Sequence, residues 1–299
     1  MDRLEAMRIF ARVVERTSFS AAARDLRLPA SKVTEAVKQL EARLGVRLIE
    51  RTTRAVRPTP DGEAYHRRCL SILSEVEDAE NASRGAKPKG PVRVDVQGGL
   101  ARRILFPSLP LFFAAYPEIE LTITETDRFV DPLREGIDCV LRAGEVKDGD
   151  LVARRLALLP EVTCCSPAYI ARYGLPKRWD ALEGHRMIGF RSSASGGVLP
   201  LEFMVAGEKK TVMLPSALTV DAAESYSAAV LLGLGLVQSP RYAKEEAFAR
   251  GTLVAVLEET PPSPTPVSLL YAGGRLLSPR VRVFIDWVTQ RFAEAGLDR

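Results

Sequence analysis

The chain comprises 299 residues, of which 46% are apolar and 27% are charged, as in an ordinary globular protein of about two domains. Its longest apolar stretch, residues 228–237, is too short to span a bilayer, and the first five residues lack the apolar core of a secretion signal. We therefore expect a cytoplasmic protein that is neither exported nor embedded in a membrane.

Positive charge is concentrated in the N-terminal fifth of the chain. The net charge is +4, but residues 1–60 contain 13 Lys or Arg against 7 Asp or Glu and so carry +6, leaving −2 for the remainder. A basic segment attached to a nearly neutral one is typical of a module that binds a polyanion. A solvated basic surface explains the charge equally well.

Two short amphipathic helices are predicted at the start of the chain. Apolar residues recur at helical spacing over residues 4–16, and Ser18 is placed to cap a second helix over residues 19–26. The apolar side of the first helix would support the second and the helix that follows it.

A third helix over residues 29–45 has one apolar and one polar face. Its apolar positions follow the i, i+4, i+7, i+11 spacing and are Val33, Val37, Leu40 and Leu44. The opposite face carries Ser31, Thr34, Glu35 and Lys38. Two short helices followed by one with a polar face indicate a helix-turn-helix, whose second helix enters the major groove of DNA.

A basic hairpin is predicted directly after this third helix. Residues 46–49 and 55–57 read as two short strands that flank Arg51 and Arg54. After a helix-turn-helix such a hairpin makes a wing, from which Arg51, Arg54 and Arg57 can reach phosphates or a minor groove. A solvated hairpin of arginines is the alternative.

Residues 61–82 predict a long helix with a single apolar stripe. The stripe consists of Ala64, Ile72, Val76 and Ala79. A second copy of the same helix is the natural cover for it, which predicts a dimer. Residues 86–91 then read as a linker and domain boundary.

Beyond the linker, strands and helices alternate. Strands are predicted over residues 92–96, 119–126, 138–142, 160–165, 187–190 and 267–271, with a β-rich stretch over 201–214. Helices are predicted from about residue 100 to Pro117 and over residues 130–134, 167–173, 222–232 and 279–293. Repeated βα units of this length indicate a parallel sheet covered by helices.

The sequence offers little for catalysis or metal binding. Only His66 and His185 are present, there is no G-x-S-x-G elbow, and residues 233–235 lack the third glycine of a dinucleotide fingerprint. We expect no enzyme activity, no cofactor and no metal site.

The cysteines fit neither a zinc site nor a disulfide framework, which favours a reduced setting. Cys69 and Cys139 are isolated, whereas Cys164 and Cys165 are adjacent. The adjacent pair reads as buried core residues, with a redox sensor as the alternative.

The chain resembles the LysR-type transcriptional regulators over nearly its whole length. The similar segments are residues 7–10, 18–23, 40–48 and 51–54, Thr59 and Gly62, then residues 166–169, 233–235 with Pro240, and 279–287. No single segment is decisive, but their order and spacing together are specific to this family.

The resemblance implies an α/β chain with an all-α-type winged helix-turn-helix at its N-terminus and a C-terminal effector domain of two subdomains, like a periplasmic binding protein. It implies a DNA-binding domain over residues 1–60, a dimerising linker helix and hinge over 61–90, and an effector domain over 91–299. Subdomain I would comprise about 91–160 plus 265–299, and subdomain II about 161–264.

The resemblance also implies site residues and partners. DNA would be bound by Ser18, Ala30, Ser31, Lys32, Thr34, Glu35, Lys38, Arg51, Arg54 and Arg57. The effector would be bound by Gly98, Gly99, Leu100, Thr126, Asp127, Arg128, Arg142, Ala143, Phe190, Arg191 and Ser225. The expected partners are promoter DNA, a small-molecule effector such as a carboxylate or an aromatic, further copies of the chain in a homodimer or homotetramer, and RNA polymerase as a further candidate.

The chain departs from the family at two informative places. The family usually has serine, glutamine, serine and arginine at positions 29, 30, 34 and 35, where this chain has Pro29, Ala30, Thr34 and Glu35. A carboxylate at position 35 accepts a hydrogen bond from cytosine N4 but repels phosphate, so the family's usual operator preference does not carry over. Gly98 and Gly99 also stand where a serine or threonine is common, which leaves fewer side-chain ligands for an effector.

Two other classes of function are weighed against this one. An enzyme would need a catalytic constellation, and none is found. A binding protein of periplasmic type, without DNA function, would need a secretion signal that these residues do not provide.

Overall fold

The N-terminal domain packs three helices and a hairpin around one core. In the computed structural model, which describes residues 1–51, 56–82, 87–128, 130–146, 151–272 and 277–296, the chain begins with α1 (Arg3–Arg16), α2 (Phe19–Leu26) and α3 (Ala30–Leu44). Strands β1 (Ile49–Arg51) and β2 (Val56–Pro58) then pair antiparallel. The core is formed by Ile9, Phe10, Val13, Ala22, Ala23, Val33, Ala36, Val37, Leu40, Leu48, Ile49 and Cys69.

The helical spacing of α3 predicts its buried face well, with one exception. Val33, Val37 and Leu40 are at most 5% exposed, but Leu44 is 39% exposed. The prediction that Leu44 packs in the core is wrong, because it is the last residue of the helix and lies beyond the reach of α1 and α2. Gly45 follows in the left-handed conformation, as its position in the sequence predicts.

A single long helix, α4 (Pro60–Ala82), leaves the hairpin. The Thr59 hydroxyl donates to the Arg47 carbonyl over 2.7 Å and accepts from the Gly62 amide at 2.9 Å, so it caps α4 and fixes it to the chain before β1. A side chain at Gly62 would collide with the backbone carbonyl of Leu48, which explains the glycine. Of the expected apolar stripe, Ala64 and Ile72 are exposed and Val76 is half-buried, while the Ala79 side chain lies outside the described residues.

The chain then enters a five-stranded sheet with the order β4-β3-β5-β15-β6, which we call lobe I together with the helices packed on it. Its strands are β3 (Gly90–Val96), β4 (Ile119–Glu125), β5 (Cys139–Ala143), β6 (Leu151–Leu159) and β15 (Thr265–Ala272). Strands β3, β4 and β5 run parallel, but β15 is antiparallel to both β5 and β6. The prediction of a purely parallel sheet is therefore wrong in lobe I, because β15 returns from a distant part of the chain.

Helices cover lobe I. They are α5 (Gly98–Leu100), α6 (Leu109–Ala115), α7 (Pro132–Glu135) and α11 (Pro279–Glu294). The continuous helix predicted up to Pro117 is instead broken, because a π-helical turn (Ala101–Leu105) and a 3-10 turn (Phe106–Ser108) separate α5 from α6. Phe112 of α6 stacks edge-on against Phe284 of α11, with their ring centroids 5.7 Å apart, and closes the core.

The remaining strands and helices form lobe II, between Glu161 and Val256. They are β7 (Glu161–Cys165), α8 (Pro167–Tyr173), β8 (Gly189–Arg191), β9 (Val198–Leu199), β10 (Leu201–Val205), β11 (Glu208–Val212), β12 (Thr219–Val220), α9 (Ala223–Leu231), β13 (Val237–Pro240), α10 (Glu245–Ala249) and β14 (Val254–Val256). They make two three-stranded sheets, β12-β8-β9 and β13-β7-β14, and the hairpin β10-β11. Strands β13 and β14 flank β7, which buries Cys164 and Cys165.

The two lobes are joined by two crossing segments. The chain passes from β6 to β7 through Pro160 and returns into β15 at Thr265. Here the Thr265 hydroxyl donates to Glu161 Oε1 over 2.7 Å. Within the described residues, no helix is both long and apolar enough to cross a membrane.

Candidate DNA-binding surface and interlobe cleft

The polar face of α3 points away from the N-terminal core. Ala30, Ser31, Lys32, Glu35 and Lys38 are exposed, and Thr34 is half-buried. Because the opposite face is packed against α1 and α2, this row of side chains is free to meet a large flat or grooved partner.

Two of these side chains are oriented by neighbours. Gln39 Nε2 donates to Glu35 Oε1 over 2.9 Å, one turn along α3, and Lys32 Nζ lies 2.8 Å from Glu5 Oε1 of α1. Both contacts are on the surface and weak. The first contact orients the Glu35 side chain along α3, and the second orients the Lys32 side chain toward α1.

The predicted contacts outside α3 are only partly described. Ser18 caps α2, since its side-chain oxygen accepts from the Ala21 amide at 3.2 Å. Arg57 is exposed on β2. The Arg51 side chain and the whole of Arg54 lie outside the described residues.

Glu41 is a structural residue of this surface that the sequence reasoning missed. Its Oε1 atom accepts from the backbone amides of Leu48 and Ile49, at 2.8 and 3.0 Å. It therefore ties the last turn of α3 to the start of the hairpin. The available signal was an acidic residue near the end of a helix, where its charge is otherwise unfavourable.

The second surface is the cleft between the lobes, where several predicted effector residues meet. Asp95 on β3 is fully buried, and its Oδ1 atom is 2.6 Å from Arg142 Nη2 on β5. The Thr126 hydroxyl donates to both Asp95 oxygens at 3.1 and 3.0 Å, and Arg142 donates to the backbone carbonyls of Thr126 and Arg128.

Arg142 thus already has a carboxylate partner within the chain. Burial lowers the pKa of this guanidinium and raises that of the Asp95 carboxyl, while their mutual attraction acts in the opposite direction on both. The role of Arg142 in binding an effector stays a prediction, and in this structure its Nη2 atom is paired with Asp95. Arg142 also fixes the loop that follows β4.

Asp127, in that loop, reaches across the cleft. Its Oδ2 atom accepts from the Ala223 amide of α9 at 2.9 Å, while its Oδ1 atom is buried without a hydrogen-bond partner. Its backbone carbonyl accepts from the hydroxyl of Ser193 over 3.1 Å.

Arg102 is a cleft residue that the sequence reasoning missed. Its guanidinium bridges Glu125 of lobe I and Glu224 of lobe II, and Nη2 lies 2.6 Å from Glu224 Oε1. No local pattern marks it, because its two partners lie 23 and 122 residues away along the chain.

The other predicted effector residues are only partly brought together. Leu100 is buried in the lobe I core, and Phe190 packs edge-on against Tyr226 with ring centroids 5.2 Å apart. Arg191 and Ser225 are exposed, as is Arg128, which pairs with Glu135 at 2.6 Å.

The glycines and Ala143 stand close to the cleft wall. The Ala143 amide donates to Gln97 Oε1 over 3.3 Å, next to Gly98. Gly99 faces the Tyr242 hydroxyl, which would lie 3.6 Å from an added Cβ.

Below the cleft, buried ionisable groups surround the crossing segments. Burial raises the pKa of Glu161 to about 7, although the hydrogen bond from Thr265 and the charge of Lys244 oppose this rise. Lys244 is 3% exposed and donates to the Ser227 hydroxyl, and burial lowers its pKa. Among the described residues, no three His, Cys, Asp or Glu side chains are grouped as metal ligands.

Known proteins resemble the chain in sequence and in fold. The family model for the bacterial regulatory helix-turn-helix protein, lysR family, matches residues 4–63, and that for the LysR substrate binding domain matches residues 85–293. YhjC, an uncharacterized HTH-type transcriptional regulator of Escherichia coli, is 38% identical over 292 residues, which cover 96% of this chain and 97% of YhjC.

Two further relatives extend this similarity. An HTH-type transcriptional repressor of Pseudomonas aeruginosa is 36% identical over 296 residues, which cover 98% of this chain and 93% of the repressor. The structure of CrgA, a LysR-type transcriptional regulator from Neisseria meningitidis, superposes with a TM-score of 0.61 at 30% identity, covering 96% of this chain and 98% of CrgA.

Proposed function

Because the chain belongs to the LysR family of transcriptional regulators, we propose that it binds promoter DNA as a homo-oligomer and is switched by a small molecule in the cleft between its lobes. It is a regulator with a helix-turn-helix DNA-binding domain and an effector-binding domain, and its relatives are named transcriptional regulators rather than enzymes. Its place of action is with the chromosome, in the cytoplasm.

The observation that carries the DNA-binding role is the exposed polar face of α3. It stands on a closed apolar core within a segment that carries +6. We assign α3 to the major groove and the hairpin arginines to the flanking phosphates or minor groove. The DNA-binding domain spans residues 1–60, the linker helix and hinge 61–90, and the effector domain the rest.

Oligomerisation is supported by apolar side chains left open on the helices. Ile72 of α4 is 38% exposed, Leu111 of α6 is 66% exposed, and Leu232, just after α9, is 73% exposed. A second copy of α4 covers the first site and forms a dimer. Contacts through α6 and α9 join dimers into a tetramer.

The effector domain divides at the crossing segments. Subdomain I comprises about residues 91–160 plus 265–299, and subdomain II about 161–264, which correspond to lobes I and II. The effector enters between them and meets the exposed Arg191 and Ser225 on the side of lobe II. The loop at residues 126–128 and the Gly98–Gly99 turn face it from lobe I.

The DNA-binding proposal is tested with the DNA upstream of the chain's own gene. We expect the affinity for this fragment, measured by fluorescence anisotropy, to fall at least tenfold between about 50 and 200 mM salt, because several phosphate contacts release counterions. The double variant Lys38→Ala/Arg57→Ala serves as control and should show a shallower dependence on salt. Binding that is undetectable, or insensitive to salt, contradicts the proposal.

The effector-binding proposal is tested separately on the full chain. A thermal-shift screen of small carboxylates and aromatics should yield a compound that raises the melting temperature, because a ligand that binds only the folded state stabilises it. The shift should shrink in Arg191→Ala but persist in Arg178→Ala. The second variant removes an exposed arginine of lobe II that pairs with Asp180. A shift of equal size in both variants places the compound elsewhere.

A further inference from the structure

Helix α9 lacks a cap of its own. Its N-cap residue is Ala222, whose methyl side chain cannot accept a hydrogen bond. The acceptor for the first amide of the helix, that of Ala223, is instead Asp127 Oδ2 at 2.9 Å. Helix caps are normally supplied by the residue at the N-cap itself. Here the cap comes from lobe I, 96 residues earlier in the chain.

The next residue of α9 is also held by lobe I. Glu224 lies 2.6 Å from Arg102 Nη2, and Arg102 is held in turn by Glu125 at the end of β4. A carboxylate in the first turn interacts favourably with the helix dipole, so Glu224 suits both its helix and its partner. Two successive residues of α9 therefore rest on one edge of lobe I.

Gly98 provides the space that this arrangement needs. A Cβ atom at position 98 would lie 2.6 Å from Glu125 Oε2 and 2.8 Å from Arg102 Nη2. Both are the ends of flexible side chains, so a larger residue would move the ion pair aside rather than disrupt the fold. The glycine, found where the family commonly has serine or threonine, thus leaves the space that the ion pairs of Arg102 occupy.

We propose that Asp127 and Arg102 form a clasp that holds lobe II closed against lobe I through the first turn of α9. Opening the cleft removes the cap from α9, so the order of this turn and the closure of the lobes form one cooperative unit. Ser193 adds a third contact to the same loop through the Asp127 carbonyl.

The clasp goes beyond the function proposed above, because it is defined without DNA or effector. It deepens that function in one respect: an effector that enters the cleft acts on an equilibrium that the chain itself already biases toward closure. Asp127 and Arg102 are therefore positioning residues. Their roles are tested by measuring the distance between the lobes rather than the affinity for a ligand.

The distance between the lobes tests the clasp. The four native thiols are buried, so the exposed positions in Glu120→Cys of lobe I and Glu208→Cys of lobe II can be spin-labelled selectively. In the full chain, diluted with an excess of unlabelled chain so that distances between copies do not contribute, pulsed electron paramagnetic resonance should give one narrow distance distribution. Asp127→Ala should broaden it and shift its mean to longer distance, whereas Asp286→Ala, which removes an exposed carboxylate on α11 of the same lobe, should leave it unchanged.

A second substitution separates capping from closure. Ala222→Asp supplies α9 with a cap from its own chain. In the Asp127→Ala background it should restore the hydrogen-exchange protection of the amides at 224 and 225, the positions that an N-cap side chain reaches, which Asp127→Ala lowers at least tenfold. The interlobe distance should remain long in the same double variant.

Three results overturn the proposal. An unchanged distance distribution in Asp127→Ala shows that the contact does not hold the lobes. Recovery of both exchange protection and distance by Ala222→Asp shows that Asp127 acts only as a helix cap. If Asp127→Ala is too unstable to label, Gly98→Ser displaces Arg102 from Glu125 without removing a buried group, and a distribution identical to that of the unsubstituted chain contradicts the clasp.

The outcome is independent of DNA binding. Retained affinity for the promoter fragment with a changed interlobe distance supports both proposals. Loss of DNA binding by the unsubstituted chain would defeat the proposed function while leaving the clasp intact.

Discussion

The surface of α3 and the interlobe cleft arrange their polar groups in opposite ways. On α3 the charged side chains stand in solvent and form only surface contacts, such as the 2.9 Å hydrogen bond between Gln39 and Glu35. In the cleft the charged side chains pair with one another, and Asp95 is fully buried beneath Arg142. The side chains on α3 are accessible to an external partner, whereas the charged side chains of the cleft form ion pairs with one another.

The difference shows how each region can specify a partner. Side chains on α3 lose little when they exchange water for DNA, so recognition depends on which groups they present. In the cleft a ligand must first displace or join existing ion pairs. Recognition therefore depends on how much interaction energy those ion pairs lose when the ligand binds. Substitutions should therefore affect binding preference on α3 and conformation or stability in the cleft.

The largest effect is expected at the buried cleft pair. Asp95→Ala leaves Arg142 without its carboxylate, and removing one partner of a buried pair costs about 3 kcal/mol. The free energy of unfolding from urea titration should fall by about that amount. Glu135→Ala, which breaks the exposed pair with Arg128, should cost under about 1 kcal/mol. Equal losses of unfolding free energy in the two variants would show that the buried pair in the cleft contributes no more to stability than the exposed pair.

On α3 the expected change is in sequence preference. Glu35→Ala should reduce discrimination at one base pair by about 2 kcal/mol, the scale of a good base contact, with little change in mean affinity across a library of sites. Arg57→Ala, on the hairpin, should weaken all sites alike. Selection from a randomised operator library measures both, and an identical pattern of losses for the two variants would contradict this assignment.

The crossing segments should make stability depend on pH. The pKa of Glu161 is about 7 in the folded chain against an ordinary value of 4.5, so the folded state retains a proton that the unfolded state has lost. The free energy of unfolding therefore falls as pH rises from about 4.5 to about 7, by up to about 1.4 kcal/mol per pH unit for this one group.

The variant Glu161→Gln keeps an acceptor for Thr265 and should flatten this part of the profile. Asp138, whose burial raises its pKa to about 6, changes stability in the same direction and remains in both proteins. Melting temperatures between pH 5 and 8 measure the difference. A slope unchanged by Glu161→Gln would assign the dependence to Asp138 or other groups.

The smallest expected effect concerns the thiols. All four cysteines are buried, and burial raises the pKa of Cys69 to about 12 and that of Cys164 to about 11. Ellman's reagent should therefore label none of them in the folded protein within minutes and all four in denaturant. Rapid labelling of one thiol would instead favour the redox role considered for Cys164 and Cys165.

The sequence predicts the N-terminal domain better than the effector domain. In α3 the helical period separates buried from exposed positions except at Leu44, which lies at the helix end, whereas in α1 the buried side also includes Ile9 and Val13, outside the predicted stripe. Strand β6 of lobe I and strands β13 and β14 of lobe II were not predicted. Their pairing with β15 and β7 depends on contacts between distant parts of the chain, which local periodicity does not contain.

The cleft was predicted as a location but not as a set of interactions. The resemblance to LysR-type regulators gave the loop at 126–128 and Arg142, and the structure brings these together. It did not give Arg102 or the partner of Asp127, because their partners in lobe II lie 122 and 96 residues away along the chain. Such pairs become visible only when segments over 90 residues apart are placed side by side.

Helix α4 is anchored at its first turn and again past its middle, and this gives it a mechanical property. Thr59 and Gly62 fix its first turn to the hairpin, and further along Arg280 of α11 donates to the carbonyls of Ser74 and Pro91, at 3.4 and 2.8 Å. With 23 residues, the helix is a stiff rod about 35 Å long. The part between Pro60 and Ser74 is about 21 Å long, so tilting it by about 10° moves the DNA-proximal end by about 4 Å, about one base-pair step. A small rotation of the effector domain would thus be enough to change the position of the DNA-binding domain on its operator.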